Sequence, residues 1–433
     1  MRLVCRPTMP LLACVLVMTF GVSADAQTVV VKAARLIDGR GGTPLEPAMV
    51  RISGDRIEEV SKSLAVPPGA TVIDLGAATL LPGLIDLHTH LTSREGVHWE
   101  TALTTTTPPE AALWGARNAR VTLMAGVTTC RDMGPNWPYV DVELRDAIEG
   151  GAVPGPRMFV AGNYVSSTGG AGDARQFSLY VDVPIVRNLA DGPDEVAKAV
   201  RTNLKFGADF IKILATGAVL SKGISPGAQQ YSDAEIKAAV TEAARWGRQV
   251  AAHAHGAEGI KAAIRAGVRT VDHGSYLDAD AVAMLQSSNR STFYVPTLAL
   301  YAYLQQSAQV PDSEKARGRT VNEVAVAGFK RALAAGLPIG LATDAPVMPH
   351  GLIAREIAYR AELGEPAMRA IVSATSLNAE IMGWQDRVGA VTPGKLADVI
   401  AVNGNPLTDI SALQHVRFVM KGGTVYKNER DQP

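Results

Sequence analysis

Two histidines close the apolar run Leu84-Ile85-Asp86-Leu87, at His88 and His90. Side chains at i and i+2 of a strand point to the same side, so these two imidazoles converge on one point. The spacing recurs at His253 and His255; His273 closes the next apolar run, and Asp344 follows Leu341-Ala342-Thr343. Imidazole and carboxylate donors together suit zinc or a similar divalent ion. The chain has only eight histidines, so their gathering at the ends of apolar runs is informative. Lys212 lies inside Phe210-Ile211-Lys212-Ile213-Leu214. A buried ammonium there needs a charge partner or a chemical change. Reaction with CO2 would turn it into a carbamate, an anion able to bridge two metal ions.

Such side chains meet only if the runs that carry them end at one face. From Pro82 onward, apolar strand-like runs alternate with Ala-rich helical stretches, the pattern of βα units around a parallel sheet. The expected strands are 84–87, 127–131, 157–161, 210–214, 249–252, 270–272, 292–295 and 339–343. Helical stretches fall at 109–125, 194–206, 232–246, 257–266 and 321–335, each ending near a glycine (Gly126, Gly207, Gly247, Gly267, Gly336). Eight strands of this kind predict an α/β fold, a (β/α)8 TIM-like barrel over 81–389, whose catalytic groups gather at the strands' C-terminal ends. Short alternating segments with turn-rich punctuation occupy 27–80 and return at 390–433, which predicts one small β-sandwich domain built from both termini.

Composition narrows the class. Hydrophobic residues make up 47% and charged residues 19% of 433, enough for a large core. Net charge is zero and no Lys/Arg run stands out, which argues against nucleic acid or an anionic membrane as partner. Residues 1–26 read as a signal peptide: Arg2 and Arg6, an apolar run over 11–20, then Ala24-Asp25-Ala26 as a cleavage site. The expectation is a periplasmic or secreted protein, free of membrane once the signal is removed. Leu11-Leu12-Ala13-Cys14 faintly matches an acylation box, but Cys14 sits too early for one. With Cys5 and Cys14 in the signal, only Cys130 remains, so no internal disulfide can form and Cys130 reads as a buried structural thiol.

The order HxH, strand lysine, His, His, Asp resembles the metal-dependent amidohydrolase superfamily. The match extends to Pro82-Gly83-Leu84-Ile85-Asp86-Leu87-His88-Thr89-His90, Ala252-His253-Ala254-His255-Gly256 and Gly389-Ala390-Val391-Thr392-Pro393-Gly394-Lys395-Leu396-Ala397-Asp398. Within it the chain is similar to the imidazolonepropionase-like branch, with its bacterial Xaa-Pro/Xaa dipeptidases and ochratoxin-hydrolysing amidohydrolases. Imidazolonepropionase itself uses one metal and lacks the strand lysine, so Lys212 argues against that activity. The resemblance implies two divalent ions, with zinc the expected metal: His88, His90 and Asp344 hold one, His253 and His273 the other, and carboxylated Lys212 bridges them. It also implies attack of a hydroxide on the substrate carbonyl, with Asp344 as the general acid/base. A homo-oligomer, of up to eight subunits, is implied as well.

Other residues have weaker claims. His255 shares the face of His253 and reads as a substrate contact or a support for the ligands. Two Gly-rich stretches, 166–172 and 217–227, follow strands and are expected to overhang the mouth. Tyr164 and Tyr231 flank them as candidates to polarise a carbonyl or bind a carboxylate. Arg131-Asp132 reads as a structural ion pair; His98, His350 and His415 read as ordinary histidines. The functional expectation is an exported binuclear amidohydrolase acting on a small-molecule amide: a dipeptide or an N-acyl amino acid, ochratoxin-type amides included. Alternatives are a mononuclear deaminase or cyclic-amide hydrolase, and a non-catalytic binding protein on the same scaffold.

Overall fold

The computed structural model describes residues 27–174, 177–178, 180–181, 189–221, 223–306, 308, 310 and 312–429. The signal peptide expected over 1–26 lies outside them.

The chain opens with short strands. These are β1 (Thr28–Ala33), β2 (Arg35–Leu36), β3 (Ala48–Ser53), β4 (Arg56–Ser61), β5 (Thr71–Asp74) and β6 (Thr79–Pro82). The central strands follow: β7 (Leu84–Thr89), β8 (Val127–Asp132), β9 (Arg157–Val160), β10 (Ile211–Leu214), β11 (Val250–Ala254), β12 (Thr270–His273) and β13 (Phe293–Val295). Three more, β14 (Val399–Val402), β15 (Val416–Lys421) and β16 (Thr424–Asn428), end the chain. The first strands and the last are woven together, since β6 pairs antiparallel with β14 and the sheet runs β16-β15-β14-β6-β2. A second sheet, β4-β3-β1-β5, shares one apolar cluster with it, in which Val31, Val50 and Ile52 meet Leu80, Val399 and Phe418.

The central strands pair in parallel as β7-β8-β9 and β10-β11-β12-β13. Parallel strands need both faces covered, and β7, β8 and β11 are buried at every position. Helices supply one cover: α1 (Trp99–Thr105), α2 (Pro108–Met124), α3 (Val140–Glu149), α4 (Pro193–Lys205), α5 (Asp233–Arg245), α6 (Ala257–Ala266), α7 (Ala279–Ser287), α8 (Ala299–Gln306), α9 (Asp312–Ala334) and α10 (Ile353–Glu362). Their ends follow local chemistry. Ser232 and Glu235 form a reciprocal capping box at the start of α5. At the end of α6, Gly267 takes φ +89°, a left-handed turn that costs glycine no Cβ clash.

The expected strand at 339–343 takes a different form. Only Ile339 makes a bridge there, to Tyr294. Asn378 explains the change: its side chain accepts from Leu341 N–H (3.0 Å) and donates to Leu341 O (2.8 Å) and to Ile85 O (2.7 Å). A side-chain amide thus takes backbone groups that a ladder would otherwise pair. The segment still runs beside β7, through Leu87 N to Leu341 O, Asp344 N to His88 O and His90 N to Ala345 O (3.2, 2.8 and 2.7 Å).

Candidate metal centre and active site

His88 and His90 leave the end of β7, Lys212 projects from β10, His253 from β11 and His273 from the end of β12. Register aligns them, with Leu214 opposite His253 and Ala254 opposite His273. Asp344 arrives on the turn beyond the 339–343 segment. All line a cavity of about 190 Å³, together with His255. His273 and Asp344 have φ of +65° and +60°, where non-glycine residues are strained. Both side chains line the cavity, where their donor atoms cluster with that of His88.

Distances describe a tight donor cluster. Asp344 Oδ1 stands 3.3 Å from His88 Nε2 and 3.4 Å from His90 Nε2. His88, His273 and Asp344 offer donor atoms that all lie within 4.8 Å of one another. Ring centroids separate by 4.8 Å for His88–His273 and 4.6 Å for His253–His273.

Neighbours fix which ring nitrogen stays free. His90 Nδ1 lies 2.7 Å from Gly134 O, and His253 Nε2 lies 3.1 Å from Gly217 O. A carbonyl only accepts, so each of those nitrogens carries a proton; the other nitrogen of His253 keeps its lone pair for the cavity, while Nε2 of His90 faces the Asp344 carboxylate. His273 Nδ1 lies 2.8 Å from Thr297 Oγ1. His88 Nδ1 is buried with no hydrogen-bond partner among the described residues.

Electrostatics suit a cation. Burial, with Lys212 and neighbouring histidines adding to it, holds His88, His253 and His273 well below the usual imidazole range, so they are neutral at pH 7, the form in which an imidazole can bind a metal. Burial works the same way on His90, yet the hydrogen bond and charge of Asp344 outweigh it and raise its pKa. Burial brings His255 down to about 3. Burial also lowers the Lys212 ammonium, against the pull of Asp272, whose Oδ2 is 3.3 Å away. A crowd of neutral imidazoles around one carboxylate, with a buried nitrogen left over, is a donor set that fits divalent zinc.

Some expected residues sit elsewhere. Tyr231 is not on the cavity: its hydroxyl donates to Ala190 O (2.9 Å) inside an apolar cluster, so the phenol satisfies itself locally. Arg131 and Asp132 do not pair with each other, because adjacent strand residues point to opposite sides. Arg131 reaches across to Asp272 (2.9 Å), while Asp132 accepts from Leu91 N–H and Gly134 N–H. His350 is buried and does not line the cavity; its backbone N–H donates to Glu95 (3.0 Å). Tyr164 does line it, as do Ala171, Gly172 and Ala218 to Ser221 of the two Gly-rich stretches.

Sequence reasoning missed Asp272, Thr297, Ser275 and Tyr301. Asp272 had a signal, since a lysine inside an apolar strand demands a nearby anion and the strand-end carboxylates are few. The hydroxyls had none.

The profile of the Amidohydrolase family matches residues 79–426. Ochratoxinase of Aspergillus niger is 32% identical over 432 residues, covering 93% of this chain and 87% of that protein. Its crystal structure superposes with a TM-score of 0.82 at 31% identity, over 93% of this chain and 96% of that one. A Xaa-Pro dipeptidase with methionine bound in its active site gives 0.86 at 34% identity, over 93% and 100%. A prolidase complexed with N-methylphosphonate-L-proline gives 0.86 at 31%, with the same coverage.

Proposed function

The chain belongs to the amidohydrolase family and is a hydrolase of C–N bonds, and from that premise we propose that it cleaves the amide bond of a dipeptide or an N-acyl amino acid, ochratoxin-type amides among them. The observation that carries this reading is the convergence of His88, His90, Lys212, His253, His273 and Asp344 on one cavity. Two zinc ions are the proposed cofactor; His88, His90 and Asp344 would hold one and His253 and His273 the other, with a carboxylated Lys212 contributing to both. The ions supply Lewis acidity and an activated water. Asp344, 16% exposed and lining the cavity, would take the proton of the attacking water and return it to the leaving amine. Trp99, Tyr164, Leu300 and Leu304 form a largely apolar wall that fits an apolar side chain or acyl group and keeps bulk water from the reacting carbonyl. Parallel bridges Tyr294–Ile339 and Thr89–Ala345 support reading the central strands as a closed (β/α)8 barrel, with 27–80 and 390–433 as the second domain. Export, to the periplasm or beyond the cell, and assembly into a homo-oligomer complete the proposal.

A library of dipeptides and N-acyl amino acids, incubated with zinc-loaded protein while free amine is followed, tests the central claim. Turnover of at least one class is expected; silence across the library overturns it.

A further inference from the structure

His255 differs from the other histidines of the cavity in how it is held. Its backbone N–H donates to Thr216 Oγ1 (2.9 Å), and its carbonyl accepts from Tyr276 N–H (2.9 Å). Behind it, Gly256 is so close to the 217–227 stretch that a Cβ would lie 2.0 Å from Gly227 O. The ring stacks near-parallel on His273 at 5.0 Å and meets His253 edge-on at 4.6 Å. Backbone and ring are therefore both fixed against the ligand cluster.

A chain of hydroxyls governs its proton. His255 Nδ1 lies 2.8 Å from Ser275 Oγ, which lies 3.1 Å from the Tyr301 hydroxyl. Ser275 is wholly buried, and Tyr301 rides on α8, whose first N–H, that of Ala299, donates to Glu356 (2.6 Å). Two proton orders are open to this chain. In one, Tyr301 donates to Ser275 and Ser275 donates to Nδ1; in the other, every donor reverses. A phenol is the more acidic O–H and an imidazole nitrogen the more basic acceptor, so the order running from Tyr301 into Nδ1 matches the best donor with the best acceptor. That order leaves the proton on Nε2, the ring nitrogen with no hydrogen bond to another described residue, at the wall of the cavity.

We propose that Tyr301 and Ser275 are positioning residues that hold His255 as the Nε2–H tautomer, and that Nε2–H donates a hydrogen bond to the carbonyl oxygen of the scissile amide. The proposal rests on the amide-hydrolysis reading above. As the carbonyl is attacked, its oxygen gains negative charge and the donor, already aimed, needs no reorganisation. No bond to His255 forms and no proton leaves it.

Kinetics and spectroscopy together test this. His255→Ala is expected to lower kcat by about 10²–10³ with KM little changed, as for loss of one oxyanion donor. Ser275→Ala and Tyr301→Phe are expected to lower kcat by about tenfold with metal content intact, and Ser275→Thr to recover most of that loss. Losses below about threefold in both hydroxyl variants overturn the proposal. Independently of turnover, 15N–1H correlation spectra of histidine-labelled, metal-loaded protein read the tautomer: Nε2–H in the parent and a mixture in Ser275→Ala are expected, and Nδ1–H in the parent overturns it. A parent that cleaves no amide overturns the carbonyl role along with the functional reading, while the spectrum still decides the relay.

Discussion

Asp272 Oδ2 stands 3.3 Å from Lys212 Nζ, and the other oxygen of that carboxylate is taken by Arg131 at 2.9 Å. The ammonium thus shares this carboxylate with a guanidinium that approaches it more closely. Burial already lowers the Lys212 pKa, which raises the share of free amine, the form that reacts with CO2. Conversion to a carbamate would replace a half-paired cation with an anion, and divalent ions in the cavity would compensate it.

Lys212→Ala is therefore expected to bind about one metal ion per chain where the parent binds two, and to lose on the order of 100-fold or more in kcat/KM. Elemental analysis of both proteins, purified alike, checks the first number. Full activity with one ion per chain would instead favour a mononuclear mechanism.

Arg131 does structural work beneath the site. From β8 it donates to Leu87 O of β7 (2.7 Å) and to Thr270 Oγ1 and Asp272 of β12 (3.1 and 2.9 Å), all buried. Removing one partner of a buried pair leaves the other charge uncompensated. Arg131→Met is expected to cost about 3–5 kcal/mol, and the triple variant Arg131→Met/Lys212→Met/Asp272→Leu, which leaves no buried charge of the group unpaired, less than that. Thermal unfolding of the single and triple variants decides it; a triple variant less stable than the single would contradict the account.

Acid stability turns on Glu242. Its carboxylate accepts from Arg201 (2.8 and 3.0 Å), Arg245 (2.9 Å) and Trp246 Nε1 (3.2 Å), and the Arg201 hydrogen bond leads in bringing its pKa from 4.5 down to about 2. A depressed carboxylate contributes stability above its unfolded value and loses it as pH falls through its folded value. The deficit of Glu242→Gln should accordingly be full above about pH 5 and vanish toward pH 2. Both guanidiniums are more than half exposed, so solvent screening limits the effect to about 1 kcal/mol. Unfolding midpoints of the two proteins across that range measure it, and a deficit that grows on acidification would refute the assignment.

How much of this was legible follows from what each residue needs. His88, His90, His253 and His273 stand out because they close apolar runs at strand spacing, and the runs alone set their direction. Lys212 announces a missing anion but not its identity, since Asp272 comes from β12, 60 residues on. Tyr231 misleads because flanking a Gly-rich stretch says nothing about where a phenol turns, and Ala190 O captures it. The 339–343 segment misleads for a similar reason: its apolar pattern is real, but Asn378, itself inside a helical stretch, takes its backbone groups. Short-range pattern is readable; partners supplied from far along the chain are not.

Gly256 ties the cavity wall to the loop above it. A methyl group there would need to displace the Gly227 backbone from 2.0 Å contact, and backbone yields less readily than a side chain. Gly256→Ala is expected to cost about 1–3 kcal/mol, as overpacking does, and to move the 217–227 stretch off His255. Since Gly217 O holds His253 Nε2, metal affinity should fall too. Zinc titration and thermal unfolding of the variant test both effects, and unchanged affinity would show that the loop does not set the ligand.

Metal removal addresses the whole cluster at once. In the folded chain, neighbouring imidazoles stand with ring centroids 4.6–5.3 Å apart beside Asp344, and His88 Nδ1 has no partner among the described residues. A cation that binds only this arrangement stabilises the fold by mass action, by about 2.7 kcal/mol at a free concentration one hundred times its dissociation constant. Chelation should lower the unfolding temperature and abolish amide turnover, and zinc should restore both. The restoring titration should break at two equivalents in the parent and at one in Lys212→Ala. A chelated protein that keeps its unfolding temperature and its activity would mean that these side chains meet for some purpose other than holding metal.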